Sequence, residues 1–256
     1  INSVLPVALR ITNKIVEIIA PPYKAFSKFI VNRRMVVVLN YEVLAVFMAL
    51  LGDKPEYWDR AKKELSKKDS KLSKVIAQFD EFELISRGDL FNTLIRSIVG
   101  QQISVKAAAT VWARLSEKVG KMSPVNILSI DFEELRSCGL SQRKTEYIIG
   151  IAESWSDYEN CEWEKMNDED LIEKLIQLRG VGRWTAEMIL ISSLLRPDVF
   201  PIGDLGMIRG IEKIYNLGKE MKKEELYEVS EKWKPWRTVA CCYMWRAVDD
   251  SGPEEY

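Results

Sequence analysis

Histidine is absent from this 256-residue chain. The absence removes the side chain that proteins use most often as a general base or metal ligand, so Ser–His and Cys–His catalysis is excluded. The four cysteines, at positions 138, 161, 241 and 242, show no C-x-x-C spacing. We therefore expect neither an iron–sulfur cluster nor a zinc site. Cys241 and Cys242 are expected to be small buried thiols. With no disulfide framework in view, a reducing compartment fits.

A surplus of basic residues is also lacking. Lysine and arginine total 37 against 38 acidic residues, for a formal charge of −1. A domain that binds nucleic acid usually carries a clear basic excess. The balance still permits a small nucleic-acid footprint, because such a footprint needs only a local basic patch. The 47% hydrophobic and 29% charged content is typical of an ordinary globular protein.

No uninterrupted apolar run of membrane-spanning length is present. Residues 35–51 are strongly apolar, but Asn40 and Glu42 interrupt them, and no signal-peptide pattern precedes them. Two interpretations of residues 1–51 stay open. They are an appendage or a mis-assigned start, with Met35 or Met48 as the true start, or they are a further structural layer or a weak membrane anchor.

From Lys54 onward the apolar residues recur at helical spacing, and strand-like alternation is scarce. Helix starts are marked by Asp89, Ser104 and Asn167 or Asp168, and Asp131 with Glu134 forms the pattern of a capping box. Helices are predicted at 90–100, 105–119, 132–138, 141–155, 169–178, 184–195, 204–215, 222–232 and 236–248. The fold is therefore predicted to be all-α.

The segment LRGVGR at 178–183 joins two apolar helical runs, at 171–178 and 184–195. Gly180 and Gly182 permit a tight turn whose backbone N–H groups point outward. Such a turn, followed by a helix start, suits a phosphate, and Arg179 and Arg183 can add charge-assisted contacts. On this spacing alone, an ordinary turn between two helices remains an alternative.

The loop VFPIGDLG at 199–206 then places a single carboxylate, Asp204, at the start of another helical run. Asp198, six residues earlier, is a weaker candidate for a catalytic carboxylate. A phosphate-binding turn followed at short range by one carboxylate indicates chemistry on a nucleic acid.

The hairpin and this loop resemble the helix–hairpin–helix (HhH-GPD) DNA glycosylase superfamily, in its 3-methyladenine DNA glycosylase II branch. Three further segments stand in the family's order: IVGQQIS at 98–104, GLSQRKTEYI at 139–148 and WKPWRTVACCYMW at 233–245. They are similar to the family's DNA wedge, a second backbone-contacting turn and the C-terminal aromatic helix. The resemblance covers roughly residues 52–250.

The resemblance implies a role for individual residues. Asp204 would be the catalytic carboxylate, with Trp184 and Trp245 as walls of the pocket for the flipped base. Met188, one helical turn past Trp184, would make that pocket more apolar, and Gln102 would fill the gap left in the DNA. The DNA backbone would be bound by Gly180, Val181, Gly182, Arg179, Arg183 and Lys144, with Arg209 as a further candidate.

Position 184 also bears on the reaction type. Bifunctional members of the superfamily carry a lysine there that attacks the sugar, whereas Trp184 cannot form a Schiff base. The resemblance therefore implies a monofunctional enzyme that releases alkylated purines, whose positive charge removes the need for a general acid. The same fold acting on uracil, hypoxanthine or an oxidised purine, and a non-catalytic DNA-binding module, remain alternatives.

The expected organisation is two helical subdomains with a cleft between them. A central bundle would span about 90–200, with the helix–hairpin–helix at 171–195, and a second subdomain would combine 52–89 with 204–250. The expected partner is double-stranded DNA with a damaged base, bound by a monomer without a cofactor or catalytic metal. The family also allows a monovalent cation at the hairpin carbonyls. Location would be the cytoplasm or nucleoid in a prokaryote and the nucleus in a eukaryote.

Overall fold

The computed structural model describes residues 54–248, apart from the side chain of residue 105. Residues 1–53 and 249–256 lie outside the described part of the chain. The two interpretations of residues 1–51, including a start at Met35 or Met48, therefore stay open.

The described residues form α-helices and one 3-10 turn, without a β-strand among them, so the all-α prediction is confirmed. In chain order the helices are α1 (Trp58–Lys68), α2 (Ser70–Gln78), α3 (Leu90–Gly100), α4 (Val105–Val119), α5 (Pro124–Leu128), α6 (Phe132–Ser137), α7 (Gln142–Ser154) and α8 (Ser156–Glu159), then the 3-10 turn (Trp163–Lys165), α9 (Asp168–Leu175), α10 (Arg183–Ser192), α11 (Leu205–Tyr215), α12 (Lys223–Glu231) and α13 (Arg237–Val248). None of the helices between residues 54 and 248 combines the length and the hydrophobicity that a membrane span requires.

Helix starts follow the polar caps in the sequence. The side chains of Asp89, Ser104 and Asn167 each accept a hydrogen bond from a backbone N–H in the first turn of the helix they precede. The capping box predicted at Asp131 is wrong, because its side chain makes no cap hydrogen bond. Glu134 instead points to Lys118, with its carboxylate 3.7 Å from the Lys118 ammonium.

Helix α10 ends three residues earlier than predicted. Its last residue is Ser192, and Leu195 adopts a left-handed conformation with φ of +50°. The amide of Arg196 then donates to the carbonyl of Leu190 at 2.8 Å, which closes the helix before Pro197. A reversal of this kind was not predictable, because leucine rarely adopts positive φ.

The helices pack in two sets of neighbours. Helix α3 contacts α4, α7 and α10, while α13 contacts α1, α2 and α11. Helices α11 and α13 pack closely at Gly210, because glycine has no Cβ atom. A Cβ atom at this position would lie 2.3 Å from the carbonyl oxygen of Met244. Cys241 and Cys242 are fully buried on α13, as predicted. This packing brings the start of α10, the start of α11 and the end of α13 to one place.

Candidate active site

Asp204 is the residue immediately before α11 and caps that helix. Its Oδ1 atom accepts a 2.7 Å hydrogen bond from the amide of Met207 in the first turn. Its own amide donates to the carbonyl of Pro201 at 2.8 Å, which closes the loop on the other side. The side chain is half-buried, and the helix N-terminus favours its negative charge. The loop and the helix together hold the carboxylate in one orientation.

Two tryptophan indoles complete the environment of this carboxylate. Trp184 Nε1 donates to Oδ2 of Asp204 at 2.8 Å, and Trp245 Nε1 donates to Oδ1 at 2.7 Å. A carboxylate offers about four acceptor positions on its two oxygens. Oδ1 therefore accepts two hydrogen bonds and Oδ2 accepts one, and the remaining acceptor position lies on Oδ2.

These indoles come from helices far apart in the sequence. Trp184 is the second residue of α10 and is half-buried, whereas Trp245 lies on α13 and is 6% exposed. Gly206 makes room for Trp245, since a Cβ atom there would lie 3.2 Å from the indole Cδ1. The structure thus brings together the three residues predicted for the catalytic centre. Their hydrogen bonds were not predicted, and the role of the rings as pocket walls stays a prediction.

Met188 lies one helical turn beyond Trp184, as expected from the sequence. Its side chain is half-buried and packs against the hydrophobic core, and its carbonyl accepts a hydrogen bond from the Ser192 hydroxyl. Contact with a flipped base stays a prediction for this residue.

Asp198, the weaker candidate, is engaged elsewhere. The Arg237 guanidinium donates to both carboxylate oxygens of Asp198, at 2.8 and 2.9 Å, and the Arg237 amide donates to Oδ1 at 3.2 Å. This paired geometry fixes the loop before Asp204 to the start of α13. Asp198 therefore holds the loop in place, which leaves Asp204 as the better placed carboxylate.

The hairpin between α9 and α10 is the sharp turn that its glycines predict. Gly180 has φ of +93°, and a Cβ atom at this position would lie 2.3 Å from the ring of Tyr147. Val181 is 6% exposed, so its side chain anchors the turn in the core and leaves only its peptide group for a ligand. Gly182 is exposed and precedes α10, whose first N–H groups receive no cap from any side chain in the described range.

The family model of HhH-GPD superfamily base excision DNA repair proteins matches residues 95–235 of the chain. The chain belongs to the HhH-GPD superfamily. It is 35% identical over 182 residues to DNA-3-methyladenine glycosylase 1 of Schizosaccharomyces pombe, over 69% of this chain and 80% of that protein.

Two solved structures are similar to this chain over most of its described length. A 3-methyladenine DNA glycosylase of Schizosaccharomyces pombe in complex with abasic DNA superimposes with a TM-score of 0.67 at 33% identity, over 73% of this chain and 95% of that one. A DNA-3-methyladenine glycosidase of Bacillus halodurans superimposes with a TM-score of 0.64 at 36% identity, over 73% and 88%. The resemblance inferred from the motifs is confirmed.

Within this HhH-GPD fold, the two hairpin arginines have protein partners. Arg183 forms a two-pronged contact with Glu169 of α9, at 2.6 and 3.0 Å, and its Nε donates to Glu187 at 3.1 Å. Arg179 lies 3.4 Å from Glu146 and over the ring of Tyr147. Arg183 therefore links the two hairpin helices, and a contact with DNA stays a prediction for both arginines.

The segment predicted to be the DNA wedge lies next to the hairpin. Gln102 is exposed and has φ of +59°, an uncommon conformation for a residue other than glycine. Lys144, predicted to bind DNA, is half-buried, and its ammonium donates to the carbonyl of Val99 at 2.7 Å. Burial lowers the pKa of this lysine. The ammonium of Lys144 thus contacts the end of α3, and a contact with DNA stays a prediction for this residue.

Sequence reasoning missed Gln101. Its side-chain amide donates to the carbonyl of Gly180 at 2.9 Å and lies 3.4 Å from the Thr185 hydroxyl. The motif IVGQQIS contains two adjacent glutamines, and only the second was assigned a role. No sequence signal told them apart, because the contact depends on how α3 packs against the hairpin.

The donors for a cation at the hairpin are peptide oxygens alone. The described residues contain no cluster of acidic or cysteine side chains that could hold a metal ion. The Leu178 carbonyl accepts from the Val181 amide at 3.0 Å, and the Gly180 carbonyl accepts from Gln101. A carbonyl oxygen has two acceptor positions, so each of these oxygens keeps one that a cation could use, and the cation stays a prediction.

Proposed function

We propose that this protein is a monofunctional DNA glycosylase that hydrolyses the N-glycosidic bond of alkylated purines and leaves an abasic site. The observation that carries this proposal is the Asp204 carboxylate, which accepts hydrogen bonds from Trp184 and Trp245 at the start of α11. The family membership and the names of the related glycosylases support it.

The reaction needs a fixed negative charge beside the sugar. Breaking the bond between base and sugar builds positive charge on the sugar, and a preoriented carboxylate stabilises that charge. Three hydrogen bonds hold Asp204 before the substrate arrives, so no reorientation is required during the reaction. Oδ2, with its free acceptor position, is the oxygen placed to face the sugar and to orient the attacking water.

The leaving group explains how a centre without histidine works. An N3- or N7-alkylated purine is positively charged, so it departs as a neutral base without protonation. The electron-rich rings of Trp184 and Trp245 would also attract a cationic base. Such a cation–π interaction contributes about 1–2 kcal/mol where water is excluded. Met188 adds an apolar surface, which makes no hydrogen bonds that could distinguish one base from another. The pocket would therefore recognise the base by its charge and shape.

The residue at position 184 supports a hydrolytic product. Trp184 donates its indole N–H to Asp204 and has no amine that could attack the sugar. Water is therefore the nucleophile in this proposal, and the strand is left intact at the abasic site.

DNA would be held through its backbone at the hairpin. The exposed Gly182 and the uncapped first turn of α10 offer N–H groups to a phosphate, with Arg179 close by. The target base would be extruded into the cleft predicted between the two sets of helices, with Gln102 filling the gap it leaves. A monomer contains every residue in this description.

A base-release assay tests the proposal. We expect the protein to release 3-methyladenine from alkylated duplex DNA. We expect Asp204→Asn to lower the single-turnover rate by about 10²- to 10⁴-fold while binding of the lesion duplex changes little. Asp157→Asn, an exposed aspartate on α8, is the matched control and should behave like wild type.

Other lesions decide between the alternatives. Oligonucleotides with uracil, hypoxanthine or 8-oxoguanine are assayed in parallel. Release of one of these in place of 3-methyladenine would overturn the lesion assignment but not the chemistry. DNA binding without release of any base would identify a non-catalytic module.

A further inference from the structure

Gln101 connects the end of α3 to the hairpin. It is the residue that follows α3, and its side-chain amide reaches across to the Gly180 carbonyl at 2.9 Å and to the Thr185 hydroxyl at 3.4 Å. Gly180 lies at the tip of the hairpin and Thr185 in the first turn of α10. One half-buried amide therefore contacts the turn and the helix that follows it.

Two further contacts join the same region to α7. Lys144, in the first turn of α7, donates to the carbonyl of Val99 at the end of α3 at 2.7 Å. The ring of Tyr147, one turn later, packs against Gly180 so closely that no Cβ atom fits between them. The end of α3, the start of α7 and the hairpin are thus joined pairwise by three contacts.

The residue that follows Gln101 is under backbone strain. Gln102 has φ of +59° although it carries a side chain, and that side chain is exposed. A strained backbone conformation persists only where its surroundings hold it. Its immediate neighbour is held by the hairpin, and the carbonyl of Val99 is held by Lys144. The exposed side chain of Gln102 is therefore presented from a fixed backbone.

We propose that Gln101 is a positioning residue that fixes the wedge residue Gln102 relative to the hairpin. This inference rests on the proposed function, in which the hairpin holds the DNA backbone while Gln102 occupies the space of the extruded base. The base stays extruded only while the hairpin holds the DNA backbone and Gln102 fills the vacated space. The distance between the hairpin and Gln102 therefore determines how long the base stays out. The Gln101–Gly180 hydrogen bond sets that distance. Gln101 contacts neither base nor sugar in this proposal.

The test replaces the amide with an apolar group of similar length. Gln101→Met removes the donor to Gly180, and Gln101→Glu, a second variant, places an acceptor against that carbonyl. Gln78→Met, on the exposed end of α2, is the matched control. Each protein is assayed in single turnover on 7-methylguanine in two settings, paired in a duplex and unpaired in a single strand. Fluorescence of 2-aminopurine next to the lesion reports extrusion directly.

We expect both Gln101 variants to lose about 10- to 100-fold in rate on the paired lesion, with a smaller extrusion signal. On the unpaired lesion they should stay within about threefold of wild type, because an unstacked base needs no wedge. A wild-type rate on the paired lesion would overturn the proposal. So would an equal loss on both substrates with the thermal midpoint unchanged, because that points to the catalytic centre. If one variant folds poorly, the other is assayed on the same substrates. Failure of the proposed function is distinct, because the wild-type protein would then release no base from either substrate.

Discussion

The indole nitrogen of Trp245 lies 2.7 Å from Oδ1 of Asp204, although 41 residues separate the two in the sequence. The contact connects the last turns of α13 to Asp204, the residue that caps α11. Gly206 keeps the space open, since a Cβ atom there would lie 3.2 Å from the Trp245 ring. Trp245 thus combines two features, a large aromatic surface and a polar edge that orients the carboxylate.

The two features can be separated by substitution. Trp245→Phe and Trp184→Phe keep an aromatic ring but remove the N–H that donates to Asp204. A hydrogen bond to a charged group contributes about 1.5–3 kcal/mol, so we expect each variant to lose roughly 10- to 100-fold in single-turnover rate. The KM for lesion DNA should change little. Trp163→Phe, in the 3-10 turn, is the control. A rise in KM with an unchanged rate would contradict an orienting role.

The sequence predicted which residues would form a catalytic centre, but not the contacts through which they meet. Asp204, Trp184 and Trp245 were assigned through separate motifs, and helix starts were predicted from local caps such as Asp89 and Ser104. Both depend on short-range patterns. The hydrogen bonds to Asp204 depend on how α10, α11 and α13 pack, and no local pattern encodes that packing.

The same distinction explains the hairpin arginines. The Arg183–Glu187 contact has i, i+4 spacing and can be read from the sequence, whereas the contact with Glu169 crosses between helices. The early end of α10 at Ser192 was missed for a related reason. It depends on the positive φ of Leu195, whose carbonyl accepts a hydrogen bond from the distant Tyr57 hydroxyl.

The two hairpin glycines should respond differently to substitution. Gly180→Ala introduces a Cβ atom 2.3 Å from the Tyr147 ring at a φ of +93°, so we expect a loss of about 1–3 kcal/mol in the free energy of unfolding and weaker DNA binding. At Gly182 no atom lies within 4 Å of an added Cβ, and φ is −95°. Gly182→Ala should cost less than about 1 kcal/mol. Urea unfolding measures both values, and equal losses would argue against the steric explanation.

A second pair of glycines tests the packing that supports Asp204. Gly210→Ala would place its Cβ atom 2.3 Å from the Met244 carbonyl oxygen and push α11 away from α13. We expect a loss of about 2 kcal/mol or more, together with a lower rate, because Trp245 moves with α13. Gly150, inside α7, has open space around an added Cβ. Gly150→Ala should be neutral or stabilise by up to about 1 kcal/mol. A destabilising effect of similar size at both positions would refute the packing argument.

Glu187 is expected to make the free energy of unfolding depend on pH. Its side chain is 7% exposed, and burial raises its pKa above the ordinary value of 4.5 despite the nearby Arg183. The folded state therefore holds this proton more tightly than the unfolded state. The resulting stability is fully present below pH 4.5 and is lost as the pH rises through the raised pKa.

Glu187→Gln removes this titration and keeps the size of the side chain. We expect the free energy of unfolding of the variant, relative to wild type, to increase as the pH rises from below 4.5 to neutral. Glu169→Gln provides a control of opposite sign. The hydrogen bond from Arg183 lowers the pKa of Glu169, so the wild-type protein gains stability as the pH rises through that lowered pKa up to 4.5. The free energy of unfolding of the variant, relative to wild type, therefore decreases as the pH rises through this range. Urea unfolding across this pH range measures both differences. If the two variants shift in the same direction, the opposite environments assigned to the partners of Arg183 are wrong.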